Sequence, residues 1–186
     1  PSLVEELSTR AAKELNLRFH EFYVNNLGNI IAHLKHNLLT AAEAEGLPVC
    51  PIHCDCHPGN LKFRGEEIVG LYDFDWCKID LRLFDLCLTL VYSCAAWGAE
   101  QDGSLRLDQC RIFLKAYNQA LAESQDPPPL TEPEKKYFTR ALALANLYII
   151  NWETRVFHDG LEEGLNDYEH LAYLSQHPRL LYWICP

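Results

Sequence analysis

The residues with the most chemistry in this 186-residue chain stand in one short stretch, HCDCHPGN, running from His53 to Asn60. Two histidines, two cysteines, an aspartate and an asparagine fall there, just after Cys50. Such crowding admits a zinc site, a disulfide knuckle or a catalytic loop. The oxygen ligands are the most specific part of the pattern. Four residues separate Asp55 from Asn60, and Asp73 follows at the end of the apolar segment IVGLY. An aspartate so placed can meet an attacking hydroxyl while the asparagine holds a magnesium ion on phosphates, if a strand returns a second metal-binding carboxylate beside them. Asp73 is positioned to be that carboxylate.

A small hairpin must do the returning. LKF and IVGLY flank the turn RGEE and predict two short strands, with the loop just before the first. Helices surround this hairpin. Leu27, Ile30, Ile31, Leu34, Leu38 and Ala41 recur at three-and-four spacing and predict one helix that Gly46 and Pro48 end. A short helix is expected over 3–15. After Asp75, helices are expected over about 81–97, 105–123, 133–156 and 167–176. Thr131 and Glu134 form a capping box for the third of these. The fold class is therefore mainly α with a small β-hairpin, an α+β arrangement in one domain spanning 1–186.

The whole pattern resembles the aminoglycoside phosphotransferase and choline kinase-like superfamily, whose signature is a His-x-Asp-x-His-x-x-Asn loop, a short hairpin and an Asp-Phe-Asp-like segment. Its counterparts here are His53, Asp55, His57, Asn60, Asp73 and Asp75. DLRLFDL follows, with Asp80 and Asp85 similar to the acids that begin the family's next helix. The likeness is firm over roughly 48–97, and the segments CKIDLRLFDLCLTLVYSCAAW and NDYEHLAYLSQHP look most similar to the homoserine kinase-like branch. The resemblance implies a protein kinase-like C-terminal lobe, with ATP and magnesium as cofactors. In it Asp55 would orient the acceptor hydroxyl and take its proton, and Asn60 and Asp73 would hold the magnesium. His53 would brace the loop, while His57, Asp75, Asp80 and Asp85 would be supporting residues. The acceptor would be a small metabolite carrying a hydroxyl, with an amine favoured: homoserine, an aminoglycoside or a choline-like alcohol.

Such a kinase also needs a nucleotide lobe with a glycine-rich loop and a paired lysine. No G-x-G-x-x-G occurs among the nine glycines. The chain is therefore expected to be the C-terminal lobe alone, its N-terminal partner lobe removed, and to have little activity by itself.

Composition bounds the alternatives. Sixteen basic against 26 acidic residues give a formal charge of -10, which argues against nucleic acid and anionic membranes as partners. LRLFDLCLTLVYSCAAW carries Arg82 and Asp85 inside it, so a buried helix fits it better than a membrane span. Cys87 and Cys94 on that helix look like small buried hydrophobes, and reduced thiols in the cytoplasm are expected. Two other readings of the loop stay open. One is a zinc module on Cys50, His53, Cys54, Cys56 and His57, though CPIHCDCH lacks a second paired knuckle. The other is a kinase-like scaffold with no catalysis.

Overall fold

The computed structural model describes residues 17–96, 105–124 and 127–156. The helices expected over 3–15 and 167–176 lie outside the described residues. Five α-helices are described: α1 Leu17–Asn37, α2 Ala41–Ala44, α3 Arg82–Cys94, α4 Leu107–Ser124 and α5 Glu132–Val156. Four short strands lie between α2 and α3: β1 Val49–Ile52, β2 Leu61–Arg64, β3 Glu67–Leu71 and β4 Lys78–Leu81. The expected fold class, mainly helical with a small β part, is what the structure has.

The core forms between α3, α4 and α5, because these are the helices with wide apolar faces. Leu83, Leu86, Cys87, Leu90 and Val91 of α3 meet Leu114 of α4 and Phe138, Leu142, Ala145 and Ile149 of α5 in one buried cluster. Cys87 and Cys94 are buried there, in the apolar role expected of them. The α5 capping box is also present: Glu134 N–H donates to Thr131 Oγ1 at 3.4 Å, and Thr131 N–H to Glu134 Oε2 at 2.8 Å.

Glu134 has a second task. Although fully buried, it accepts from Arg82 Nε at 3.0 Å and from Arg82 Nη2 at 2.5 Å, and Arg82 Nη1 donates to Pro128 O at 2.8 Å. A buried guanidinium is tolerable when its donors are matched in this way. The pair fastens the first turn of α3 to that of α5.

Two expectations need correction. The single helix expected to run on to Gly46 is instead two, broken after Asn37. Thr40 starts the second as its cap, with Glu43 N–H donating to Thr40 Oγ1 and Thr40 N–H to Glu43 Oε2. Arg140 of α5 stabilises the break by donating to Asn37 O at 3.3 Å and Leu38 O at 2.5 Å, carbonyls at the end of α1. The second correction concerns the segment between Asp75 and the helix expected from about 81, which is read without a strand. Strand β4 comes first, and it pairs antiparallel with β1, Val49 opposite Leu81 and Ile52 opposite Lys78.

The expected hairpin is β2 with β3, Leu61 opposite Leu71 and Arg64 opposite Glu67, with a bulge at Lys62 and Phe63. Gly65 supplies the left-handed residue that its tight turn needs, at φ 63°. Two ladders therefore stand in series. The chain passes from the first to the second through residues 53–60 and returns through 72–77, so the two connections run side by side.

Candidate active site

Those two connections carry the residues singled out for chemistry, and His53 is the rivet between them. Its Nε2 lies 2.8 Å from Tyr72 O, and its Nδ1 lies 3.3 Å from Asp55 N. A carbonyl only accepts and a backbone N–H only donates, so the ring carries its proton on Nε2 and accepts at Nδ1. Both nitrogens are thereby used up. The ring also packs against Phe74 with centroids 5.0 Å apart, and Cys77 Sγ reaches His53 O at 3.8 Å.

Asp85 holds the loop from the other side. Its Oδ2 accepts from His53 N–H at 3.1 Å and its Oδ1 from Cys54 N–H at 2.7 Å. Charge-assisted bonds to two successive amides fix the backbone where it turns into Cys54, whose φ is 64°. A left-handed conformation at a residue with a side chain persists only where its surroundings impose it. Here those surroundings are the first turn of α3.

Asp55 and Asn60 come together across the loop. Asn60 Nδ2 donates to Asp55 O at 2.9 Å and lies 3.2 Å from Asp55 Oδ2. Facing two oxygens, that end of the amide must be the NH2 group, which leaves the Asn60 side-chain carbonyl oxygen as an acceptor that no hydrogen bond reaches among the described residues. Asn60 is buried and closes a 3-10 turn, Pro58–Asn60, capped by His57. His57 Nδ1 accepts from Gly59 N–H at 3.0 Å, and its Nε2 lies 3.6 Å from Asp55 Oδ2.

Asp73 reaches the same neighbourhood through its predecessor. Tyr72 N–H donates to Asn60 O at 2.9 Å while Tyr72 O meets His53, so the residue before Asp73 is pinned on both sides. Asp73 itself is exposed and left-handed, with φ 59°. Its carboxylate and the Asn60 side-chain oxygen are hard oxygen donors, the type magnesium prefers.

The other acids lie elsewhere. Asp75 is exposed within the turn closed by Cys77 N–H donating to Phe74 O at 3.1 Å. Asp80 on β4 pairs with Lys78 at 2.8 Å and accepts from Leu81 N–H at 2.8 Å. Burial pushes its carboxyl up, but the bonds from Lys78 and Leu81 outweigh this and hold it below the usual range. Asp80 thus serves the start of α3, and the loop 53–60 is served by Asp85.

The zinc arrangement does not form. Among the described residues, no three His, Cys, Asp or Glu side chains come together in a way that could hold a metal ion. His53 has spent both ring nitrogens, on Tyr72 O and Asp55 N–H, which takes it out of any such set.

Comparison with known proteins gives the family. The model of the phosphotransferase enzyme family matches residues 2–132. The chain belongs to that family. Its relatives include the homoserine kinases of Zymomonas mobilis, 33% identical over 110 residues, and of Parvibaculum lavamentivorans, 37% identical over 82 residues. These matches take in 58% and 44% of this chain but 31% and 24% of the relatives, so the chain spans a third or less of the curated relatives it matches. Plasmodium vivax ethanolamine kinase shares the fold, with a TM-score of 0.53 at 12% identity, over 94% of this chain and 47% of that one.

Sequence reasoning singled out Asp55, Asn60 and Asp73, with His53 as the brace of the loop and Asp85 among the supporting residues, but missed Tyr72, Gly59 and Tyr92. Tyr72 contributes only backbone, and nothing in a sequence marks that. Gly59 and Tyr92, which pack against the His57 ring, carried a faint signal at best.

Proposed function

We propose that this chain is the catalytic lobe of an ATP- and magnesium-dependent kinase that phosphorylates the hydroxyl of a small, amine-bearing metabolite, homoserine foremost. The observation that carries the reading is the Asp55 and Asn60 pair: one amide end locks the carboxylate, and the other is left as a metal-type oxygen. The names of the homoserine kinase relatives favour the acceptor.

In this mechanism Asp55 accepts a hydrogen bond from the acceptor hydroxyl, orients it, and takes its proton as the oxygen attacks the terminal phosphoryl group. Asn60 Oδ1 and the Asp73 carboxylate would hold magnesium, which when bound neutralises charge on the nucleotide phosphates. His53 and Asp85 keep the loop in the one backbone conformation that presents Asp55. Little covalent work is required, since phosphoryl transfer depends mostly on positioning and charge stabilisation.

The nucleotide lobe would be supplied by sequence beyond these 186 residues, and the chain alone would turn over little. The reading takes the enzyme to be cytoplasmic, where free thiols such as Cys50 and Cys77 stay reduced. Among the described residues no helix is long and apolar enough to cross a membrane.

The test is phosphate transfer by the full-length gene product, with MgATP and homoserine, ethanolamine, choline and an aminoglycoside as acceptors. Homoserine phosphorylation that falls about 10²- to 10⁴-fold in Asp55→Asn is expected. Nucleotide binding without transfer to any acceptor would instead favour the non-catalytic scaffold.

A further inference from the structure

His57 has no part in the steps above, yet three contacts fix its ring. Nδ1 accepts from Gly59 N–H at 3.0 Å. Tyr92 of α3 packs edge-on against the ring, with centroids 5.6 Å apart. The third contact is with Gly59 itself, where a Cβ would stand 2.7 Å from His57 Cε1 and 2.9 Å from Nδ1. No side chain fits there unless the ring moves. With Nδ1 accepting, the ring proton sits on Nε2, which lies 3.6 Å from Asp55 Oδ2.

Asn60 Nδ2 approaches that same oxygen at 3.2 Å. Oδ2 is therefore flanked by two N–H groups, while among the described residues no hydrogen bond reaches Oδ1. We infer that His57 is a positioning residue: with Asn60 it clamps Oδ2 and so dedicates Oδ1 to the acceptor hydroxyl. The inference rests on the kinase reading. In the step it serves, the acceptor O–H bond breaks and Oδ1–H forms. The freed electron pair makes the new P–O bond as the bond to the departing diphosphate breaks. Without His57 only the Asn60 bond at 3.2 Å holds Oδ2, so the carboxylate turns more readily about its last torsion and productive geometry is lost for part of the time.

The experiment uses the full-length gene product with its best acceptor, comparing His57→Ala, His57→Gln, Gly59→Ala and the double variant His57→Ala/Gly59→Ala. His57→Ala is expected to lower kcat by about 10²-fold at unchanged KM for both substrates. His57→Gln should restore most of the loss, since its amide nitrogen can stand where Nε2–H stood. Gly59→Ala should lower kcat by displacing the ring, and should cost nothing further once His57 is alanine. Imidazole 15N spectra of the unliganded protein should show the His57 proton on Nε2.

Parental kcat in His57→Ala, glutamine no better than alanine, an additive Gly59→Ala effect, or a proton on Nδ1 would each overturn the role. If His57→Ala does not fold, Gly59→Ala and the 15N spectrum still decide. Failure of the kinase reading looks different: the parent transfers no phosphate and Asp55→Asn matches it. That outcome removes the clamp's purpose as well.

Discussion

The Asp85 carboxylate accepts from two consecutive backbone N–H groups, so removing it strands two donors at once beside a buried histidine. Asp85→Ala is expected to destabilise the fold by about 1–3 kcal/mol for each donor left unpaired, measured by urea unfolding. Its kcat should fall further than the stability loss explains at temperatures where the variant is folded, because the left-handed turn at Cys54 then relaxes. Parental kcat in a folded Asp85→Ala would show that Asp55 needs no help from α3. At this scale Asp55, Asn60 and Asp73 were legible because chemistry constrains both their types and their spacing. The partner of the loop amides was only half legible: Asp85 stood out as an acid, but nothing across 31 intervening positions says which backbone it holds.

Among the elements, α3 matters most, since it carries both Asp85 and the buried Arg82. Replacing Arg82 by leucine leaves the Glu134 carboxylate buried without its guanidinium, a loss expected to cost about 3–5 kcal/mol. Arg82→Leu with Glu134→Gln should recover part of that by removing the orphaned charge. Chemical denaturation of the single and double variants measures both; an equal loss in the two would mean that packing, not charge, dominates. The elements also show what a sequence hides. The β2–β3 hairpin was visible because Gly65 marks its turn between two apolar runs. Strands β1 and β4 were not, being four residues each, with Pro51 inside β1, and paired with one another at separations from Ile52–Lys78 to Val49–Leu81. The break after α1 had a usable sign in Thr40-x-x-Glu43, the same capping box as Thr131-x-x-Glu134, but the apolar spacing running through it was the louder signal.

Over the whole molecule, Arg140 ties the break between α1 and α2 to α5 by gripping Glu43 with Nη1 at 2.7 Å and Nη2 at 3.1 Å. That grip, with the Thr40 N–H, holds the Glu43 carboxyl down at about 2, below its ordinary value of 4.5. Because the folded value is the lower one, the stabilisation is complete above about pH 4.5 and is lost as pH falls towards 2. Thermal melts should therefore separate the parent from Glu43→Gln at neutral pH and bring them together over that acid range. A separation that persists at pH 2 would assign the effect to something other than this ionisation. Large apolar and aromatic side chains also cluster in sequence: Phe63, Ile68, Tyr72, Phe74 and Trp76 are all exposed on or just after the hairpin. The nucleotide lobe proposed above would cover such side chains, and turnover by the 186-residue chain should be a small fraction of that of a longer chain that includes it. Equal turnover would remove the need for that lobe.

The paired connections impose a parity rule. Asn60 and Asp73 stand at the two feet of the β2–β3 hairpin, joined across its base by the bond from Tyr72 N–H to Asn60 O. One residue added to each strand lengthens the hairpin outward and leaves its feet opposed. A single residue added to one strand would turn every later side chain to the other face unless a new bulge absorbed it. Length can therefore vary at the Gly65 tip in steps of two, while a change in the spans 53–60 or 72–77 would disturb the two oxygens proposed above to share one ion.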